Sequence, residues 1–277
     1  MAYQADRPEI APEENLSLAA ALRDLLRHRE LVALWTAREI KVRYTQSALG
    51  VAWAVLQPLS LTIIYTIVFS FFVRIPSDGM PYVLFSYTAL LPWTFLASAL
   101  TFGIPSVVNN MNLVTKVYFP REVFPLAAVG ASLVDFAVAS AVFLLLLVYY
   151  GVQLHSSCVW LPLLLLVQLA LATGVILLAS AVNVFYRDLR FVIPLATQLW
   201  LYATPVIYPL AVVPPNLRPL YTLNPMVGII DGYRAVLLHG QSPYLPYLTI
   251  SGAISAGLLV LGFLVFKRVE PVFADVI

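Results

Sequence analysis

Charge is scarce in this chain: 11% of its 277 residues are Asp, Glu, Lys or Arg, against 61% hydrophobic. A soluble globular domain gives about a quarter of its residues to charge, so the composition excludes that class and leaves a polytopic membrane protein. A net charge of +2 gives no case for a nucleic-acid partner. The single cysteine, Cys158, excludes an internal disulfide, and no Cys/His cluster offers a zinc site. His28, His155 and His239 stand far apart and outside the long apolar runs, so neither a metal centre nor a His-activated nucleophile is indicated. None of the 12 glycines is followed by Lys, so the chain holds no G-x-x-x-x-G-K-[ST] phosphate loop and any ATP must be hydrolysed by a partner. The first thirty residues carry Asp6, Arg7, Glu9, Glu13 and Glu14 in place of the basic-then-apolar order of a cleavable signal peptide. The first apolar run is therefore expected to act as both signal and anchor.

Long apolar runs are what the sequence has. A helix crossing roughly 30 Å of hydrocarbon needs about 20 apolar residues, and six segments qualify: 51–73, 83–104, 123–149, 159–183, 191–210 and 246–266. This predicts an all-α integral membrane protein with six transmembrane helices. The fifth run contains Gln198, Pro205 and Pro209, and proline frees backbone carbonyls that neighbouring helices must satisfy, so it is expected to be bent and packed within the protein. With the N-terminus inside, the outer segments hold only Arg74, Arg218 and Arg234 of the 16 cations, and the positive-inside bias places both termini in the cytoplasm. Residues 1–30 then form a polar cytoplasmic segment, 31–268 the membrane domain and 269–277 a cytoplasmic tail.

Two non-spanning pieces stand out. Residues 17–45 interleave Leu18, Leu22, Leu25, Leu26, Leu31, Leu34, Trp35 and Val42 with many charges, the pattern of an amphipathic helix in the membrane interface or of a soluble helical arm. On the outer side Asn224 caps and Pro225 starts a helix that Gly240 ends, with Met226, Ile230, Tyr233 and Leu237 on one face. Its length of about 21 Å is too short to cross, which predicts a helix dipping in from outside between spans five and six.

Asp135 breaks the uncharged interior of the third span, about 18 Å along it. A carboxylate there costs about 2.5 to 3.5 kcal/mol to insert and usually faces a cavity or a partner. With no cation inside any span, three states are open: a protonated acid, a hydrogen bond to Gln168 or Gln198, or contact with an aqueous path. Tyr65, Phe69 and Phe72 follow i, i+4, i+7 on the first span. Such rings suit a path for sugars, whose C–H faces stack on aromatics, and equally suit ordinary packing. Tyr82, Tyr87, Trp93, Trp160, Trp200 and Tyr208 are candidates for an interfacial aromatic belt.

Several spaced blocks carry a resemblance. Arg38-Glu39-Ile40-Lys41-Val42-Arg43-Tyr44 with Ser47-Ala48-Leu49-Gly50, Trp53 and Gln57-Pro58 resembles the entry to the first span of polysaccharide-export permeases of the ABC type 2 class. Asn112-Leu113, Lys116 and Phe119-Pro120-Arg121-Glu122-Val123 with Pro125 is similar to that family's inner loop between spans two and three. Asn183, Tyr186-Arg187-Asp188 and Thr204-Pro205-Val206-Ile207-Tyr208-Pro209 resemble its region from span four to span five, and Asn224-Pro225 its outer helices. The resemblance covers about residues 30–268.

What it implies is a permease subunit in the bacterial inner membrane, working as a homodimer with two copies of a cytoplasmic ABC ATPase that holds ATP and Mg; this chain itself needs no cofactor. The cargo would be a polyprenyl-diphosphate-linked polysaccharide such as O antigen, a capsular polymer or a teichoic acid. The coupling helix that docks on the ATPase would fall at about 107–118, with Asn109, Asn112, Leu113, Lys116 and Tyr118 as its residues. The substrate entrance would use Arg38, Lys41, Arg43, Leu49 and Gly50, and the outer gate Asn224, Pro225, Tyr233 and Arg234. Tyr65, Phe69, Phe72 and Asp135 are the candidates for the path. The basic residues near Arg38 suit capture of a diphosphate and equally suit a purely topogenic role. Competing readings are a type 2 permease for a drug or simple lipid, a membrane-embedded glycosyl- or acyltransferase, and a proton-coupled carrier. The last two expect clustered acids, histidines or mid-membrane ionisable groups, of which Asp135 is the lone example.

Overall fold

Where apolar side chains run unbroken for twenty residues, the backbone satisfies its own hydrogen bonds most readily as helix, and helices build this chain. A computed structural model describes residues 28–45, 47–114 and 120–273, and among these every regular element is helical. Helix α1 spans Arg29–Tyr44, and α2, Ala52–Tyr65, continues as a π-helical stretch, Thr66–Phe72. The chain goes on through α3 (Tyr82–Gly103), the short α4 (Ser106–Asn109) and α5 (Met111–Val114), then α6 (Val123–Tyr149) and α7 (Leu161–Phe185). It closes with α8 (Leu189–Tyr202), α9 (Arg218–Thr222), α10 (Pro225–Leu238) and α11 (Leu245–Val269). The segment before residue 28, Lys116 and Tyr118, and the tail from 274 lie outside the described residues.

Among the described residues, five helices are long and apolar enough to cross a membrane: Ala52–Phe72, Tyr82–Gly103, Val123–Tyr149, Ser156–Phe185 and Leu245–Val272. The expected fifth run differs. Its helix is 14 residues long, about 21 Å, and ends at Tyr202 in non-helical turns that carry Pro205 and Pro209. Proline removes donors and disfavours helix in the residue before it, which accounts for the break.

The packing has two ends. At one, which we term the basic end because Arg121 and Lys267 lie there, Trp35, Val107, Phe124, Val184, Phe266 and Phe273 pack together. At the other, Met80, Leu84, Phe143, Leu147, Val152 and Leu238 do. Helix α7 starts beside Val236, where Ser157 Oγ donates to its carbonyl, and finishes at the basic end. Helix α11 runs the same way. Residues 186–244 must therefore return the chain to the far end, and α8 with its broken continuation does so: Tyr82, at the start of α3, donates to Ile207 O at 2.7 Å.

Helix α3 is the centre of the bundle and is buried along most of its length. Tyr82, Tyr87 and Trp93 are core residues at 5% exposure or less, not members of an interfacial belt, since the turn after α8 covers Tyr82, α6 covers Tyr87 and α8 covers Trp93. Trp93 meets Trp200 edge to face at 5.9 Å. Helices α7 and α11 touch backbone to backbone: a Cβ on Gly174 would sit 2.5 Å from Leu259 N, so only glycine permits the approach.

Candidate functional site: an ion pair and a cavity beneath the first span

Helix α1 does not stop at the surface of the bundle. Its Trp35 packs edge to face on Phe124 at 4.8 Å, its Thr36 lies against Gly130, and its last turn reaches the middle of α6. There Arg43 Nη1 stands 2.5 Å from Asp135 Oδ2, and Tyr44 Oη donates to Asp135 Oδ1, also at 2.5 Å. This corrects the expectation that Asp135 has no cation within reach. Gln168 instead donates to Pro92 O at 3.4 Å, and Gln198 is exposed. The cation comes from outside the spans in sequence, and the climb of α1 along α6 brings it in. Arg43 also donates to Ser98 Oγ at 3.4 Å and lies over the Phe102 ring at 4.0 Å. Burial, followed by the hydrogen bond to Asp135, pushes the Tyr44 phenol up to about 12, which keeps it a donor.

The pair forms one wall of a cavity of about 240 Å³ lined also by Trp53, Gln57, Thr94, Phe95, Ser132 and Phe136. The side chains of Arg43 and Asp135 are 10% and 16% exposed, and Arg43 Nη2 has no hydrogen-bond partner. Trp53 and Gln57, one helical turn apart on α2, are both exposed and stand at the cavity mouth.

The other proposed entrance residues stay outside. Arg38 is exposed, stacks over Trp35 at 4.4 Å and donates to Asn110 Oδ1 at 3.2 Å. Lys41 and Leu49 are exposed, and Gly50 takes φ +51, a left-handed turn that suits glycine and leads into α2. Asn109 and Asn112 are exposed at the basic end, and Leu113 packs on the cluster there. The Arg38–Asn110 bond thus joins α1 to the connector between α3 and α6.

Among the path candidates, Tyr65 and Phe69 meet edge to face at 5.7 Å, half-buried against the core. Phe72 does not share their face and is 77% exposed. The i→i−5 bond from Val73 N to Val68 O, at 3.0 Å, marks the π winding, which spoils the 3.6-residue arithmetic used to align the three rings.

At the far end Asn224 caps α10, accepting from Met226 N at 3.1 Å. It also accepts from Trp200 Nε1 at 2.9 Å and donates to Thr204 Oγ1 at 2.8 Å, pinning the end of α8. Pro225 and Tyr233 are buried, and α10 is enclosed on nearly all sides instead of showing one apolar face. Arg234 is a structural clamp: buried over the Phe85 ring at 3.6 Å, it donates to Pro205 O at 2.8 Å, Val206 O at 2.7 Å and Tyr208 O at 3.3 Å. It satisfies carbonyls left free where α8 ends.

Sequence reasoning missed a second charged group, at the basic end. Lys267 lies 2.7 Å from Glu122, which is 1% exposed, and 3.0 Å from Glu270. Glu270 also accepts from Arg121 N at 3.0 Å, and its backbone carbonyl accepts from the Arg121 guanidinium. Burial, then the Glu270 charge, raise the Glu122 carboxyl, with Lys267 opposing. The Arg121-Glu122 pair in the inner-loop block was the available signal; Lys267, counted only as a topogenic charge, hid its partner.

This arrangement defines a class first: a helical integral membrane protein with ion pairs at half depth and at one end of the bundle. Residues 30–238 match the family described as ABC-2 type transporter, and the chain belongs to that family. It is 31% identical over 249 residues to the O-antigen export system permease protein RfbA of Klebsiella pneumoniae, covering 90% of this chain and 95% of that one. It is likewise 31% identical to the protein of that name from Myxococcus xanthus, covering 92% and 98%. The polysialic acid transport protein KpsM of Escherichia coli is 22% identical over 73% of this chain and 79% of its own length.

Proposed function

We propose that the chain is the transmembrane subunit of an exporter that moves a lipid-linked polysaccharide of the O-antigen kind across the bacterial inner membrane. The observation that carries this reading is the end-to-end similarity to permeases named for O-antigen export. Two copies form the pathway, and two copies of a separate cytoplasmic ATPase drive it. Supporting the dimer, α2 and its π-helical continuation leave Leu56, Ile63, Ile64, Ile67 and Phe71 exposed, and α8 exposes Phe191, Val192, Leu195, Leu199 and Tyr202 along one face. Lipid covers such faces in part; a second protomer covers them when the polymer passes between the two copies.

The cation bias and the return of the chain along α8 support six crossings with both termini cytoplasmic. Arg38 and Lys41 remain the surface cations for the carrier's diphosphate, and Asn109, Asn112 and Leu113, with Lys116 and Tyr118, form the docking surface for the ATPase. ATP-driven movement of that surface shifts the permease only if the ATPase binds its two states unequally, and the Arg38–Asn110 bond offers a direct link to the entrance helix. Disrupting the chromosomal copy of this gene is expected to leave polymer on the inner face of the membrane, with surface polymer restored by the intact gene. Normal surface polymer in the disrupted strain overturns the reading.

A further inference from the structure

We infer that the cavity beneath Arg43 and Asp135 is a binding site for one uncharged sugar ring, the ring joined directly to the carrier's phosphate. This deepens the proposed function and rests on it. Three observations carry it. First, Arg43 and Asp135 both line the 240 Å³ cavity and keep 10% and 16% of their side chains exposed, so a cationic donor and an anionic acceptor stand side by side on its wall. Second, Arg43 already stands 2.5 Å from Asp135, so the wall carries no net charge. An anion entering the cavity would meet the carboxylate as well as the guanidinium, whereas a polyol donates to the one and accepts from the other. Third, the mouth pairs an exposed indole, Trp53, with an exposed amide, Gln57. An indole face receives the C–H face of a pyranose, and an amide both donates to and accepts from its hydroxyls.

Placement agrees with a phosphate-linked ring. Arg38 and Arg43 both lie on α1 and both reach side chains in or after α3, Arg38 donating to Asn110 Oδ1 and Arg43 to Ser98 Oγ. The surface cation and the cavity wall are thus carried by one helix. The carrier's charge is read by the exposed cations and the first sugar by the neutral pocket.

The test uses the full-length chain in nanodiscs and two probes, farnesyl diphosphate and farnesyl diphosphate bearing one glucose. The glucose is expected to tighten binding about tenfold, the effect of one hydrogen bond to a charged group. In Trp53→Ala and in Gln57→Leu, at exposed positions whose replacement leaves the fold intact, that gain is expected to vanish while the bare diphosphate binds as before. If the bare diphosphate binds and glucose adds nothing, or if the gain survives both substitutions, the sugar site is wrong and the export reading stands. If neither probe binds, the entrance assigned to the carrier fails together with the pocket.

Discussion

Arg43 and Asp135 make the interior of the bundle electrically neutral at half depth, and neither is tolerable there alone. Removing one partner of a buried pair leaves an uncompensated charge, at a cost of about 3 to 5 kcal/mol, while replacing both by apolar groups is often close to neutral. Arg43→Met and Asp135→Leu are each expected to lower the midpoint of thermal unfolding in detergent, and the double variant to recover at least half of either loss. Additive losses would show that the two side chains do not act as a pair. At the basic end the same reasoning gains a pH dependence. Glu122 is raised by burial, so its contribution to stability is present below the ordinary carboxylate range and is lost as pH rises through the raised value. Lys267→Met removes the group that opposes this shift. Its deficit in unfolding temperature is expected to shrink as pH falls from about 8 to about 5; a deficit independent of pH contradicts the assignment. The sequence made Asp135 conspicuous and left its partner hidden, because Arg43 precedes the first span by eight residues and only the tilt of α1 brings it inward.

Among the elements, the long helices were legible and the irregular ones were not. Spans two, three, four and six follow from unbroken apolar runs, and their observed ends agree with the expected ones to within a few residues. The π winding over Thr66–Phe72 has no counterpart in hydropathy, so the alignment of Phe72 with Tyr65 failed. The break after Tyr202 was signalled by Pro205 and Pro209, but what satisfies it was not: a single guanidinium, Arg234, which the charge count alone would place in water. Arg234→Lys keeps the charge and loses the planar fork that serves several carbonyls at once. About 2 to 4 kcal/mol of stability is expected to go with it, since buried acceptors left unpaired cost about 1 to 3 kcal/mol each. An unfolding midpoint equal to the parent's would remove Arg234 from the role of clamp. Gly174→Val, which pushes α11 off α7, is expected to cost at least the 1 to 3 kcal/mol typical of overpacking, about as a lower bound, read as loss of folded protein on size exclusion. Gly257, with open space around it, is the control position and is expected to accept Ala unchanged.

For the whole molecule, composition alone pointed to a membrane protein, and the missing phosphate loop is what led to the proposal of a separate ATPase. The pattern of cations is what the proposed orientation rests on. What composition does not carry is which faces the proposed second protomer would meet: the exposed rows on α2 and α8 are as apolar as lipid-facing rows, and sequence does not separate the two. The central claim is that this chain is a passage driven from outside itself, and reconstitution tests it most directly. Vesicles holding the chain together with its ATPase are expected to move lipid-linked polymer to the opposite leaflet when ATP is supplied, and vesicles holding the chain alone to move none. Equal transfer by the chain alone, with or without ATP, would contradict the account.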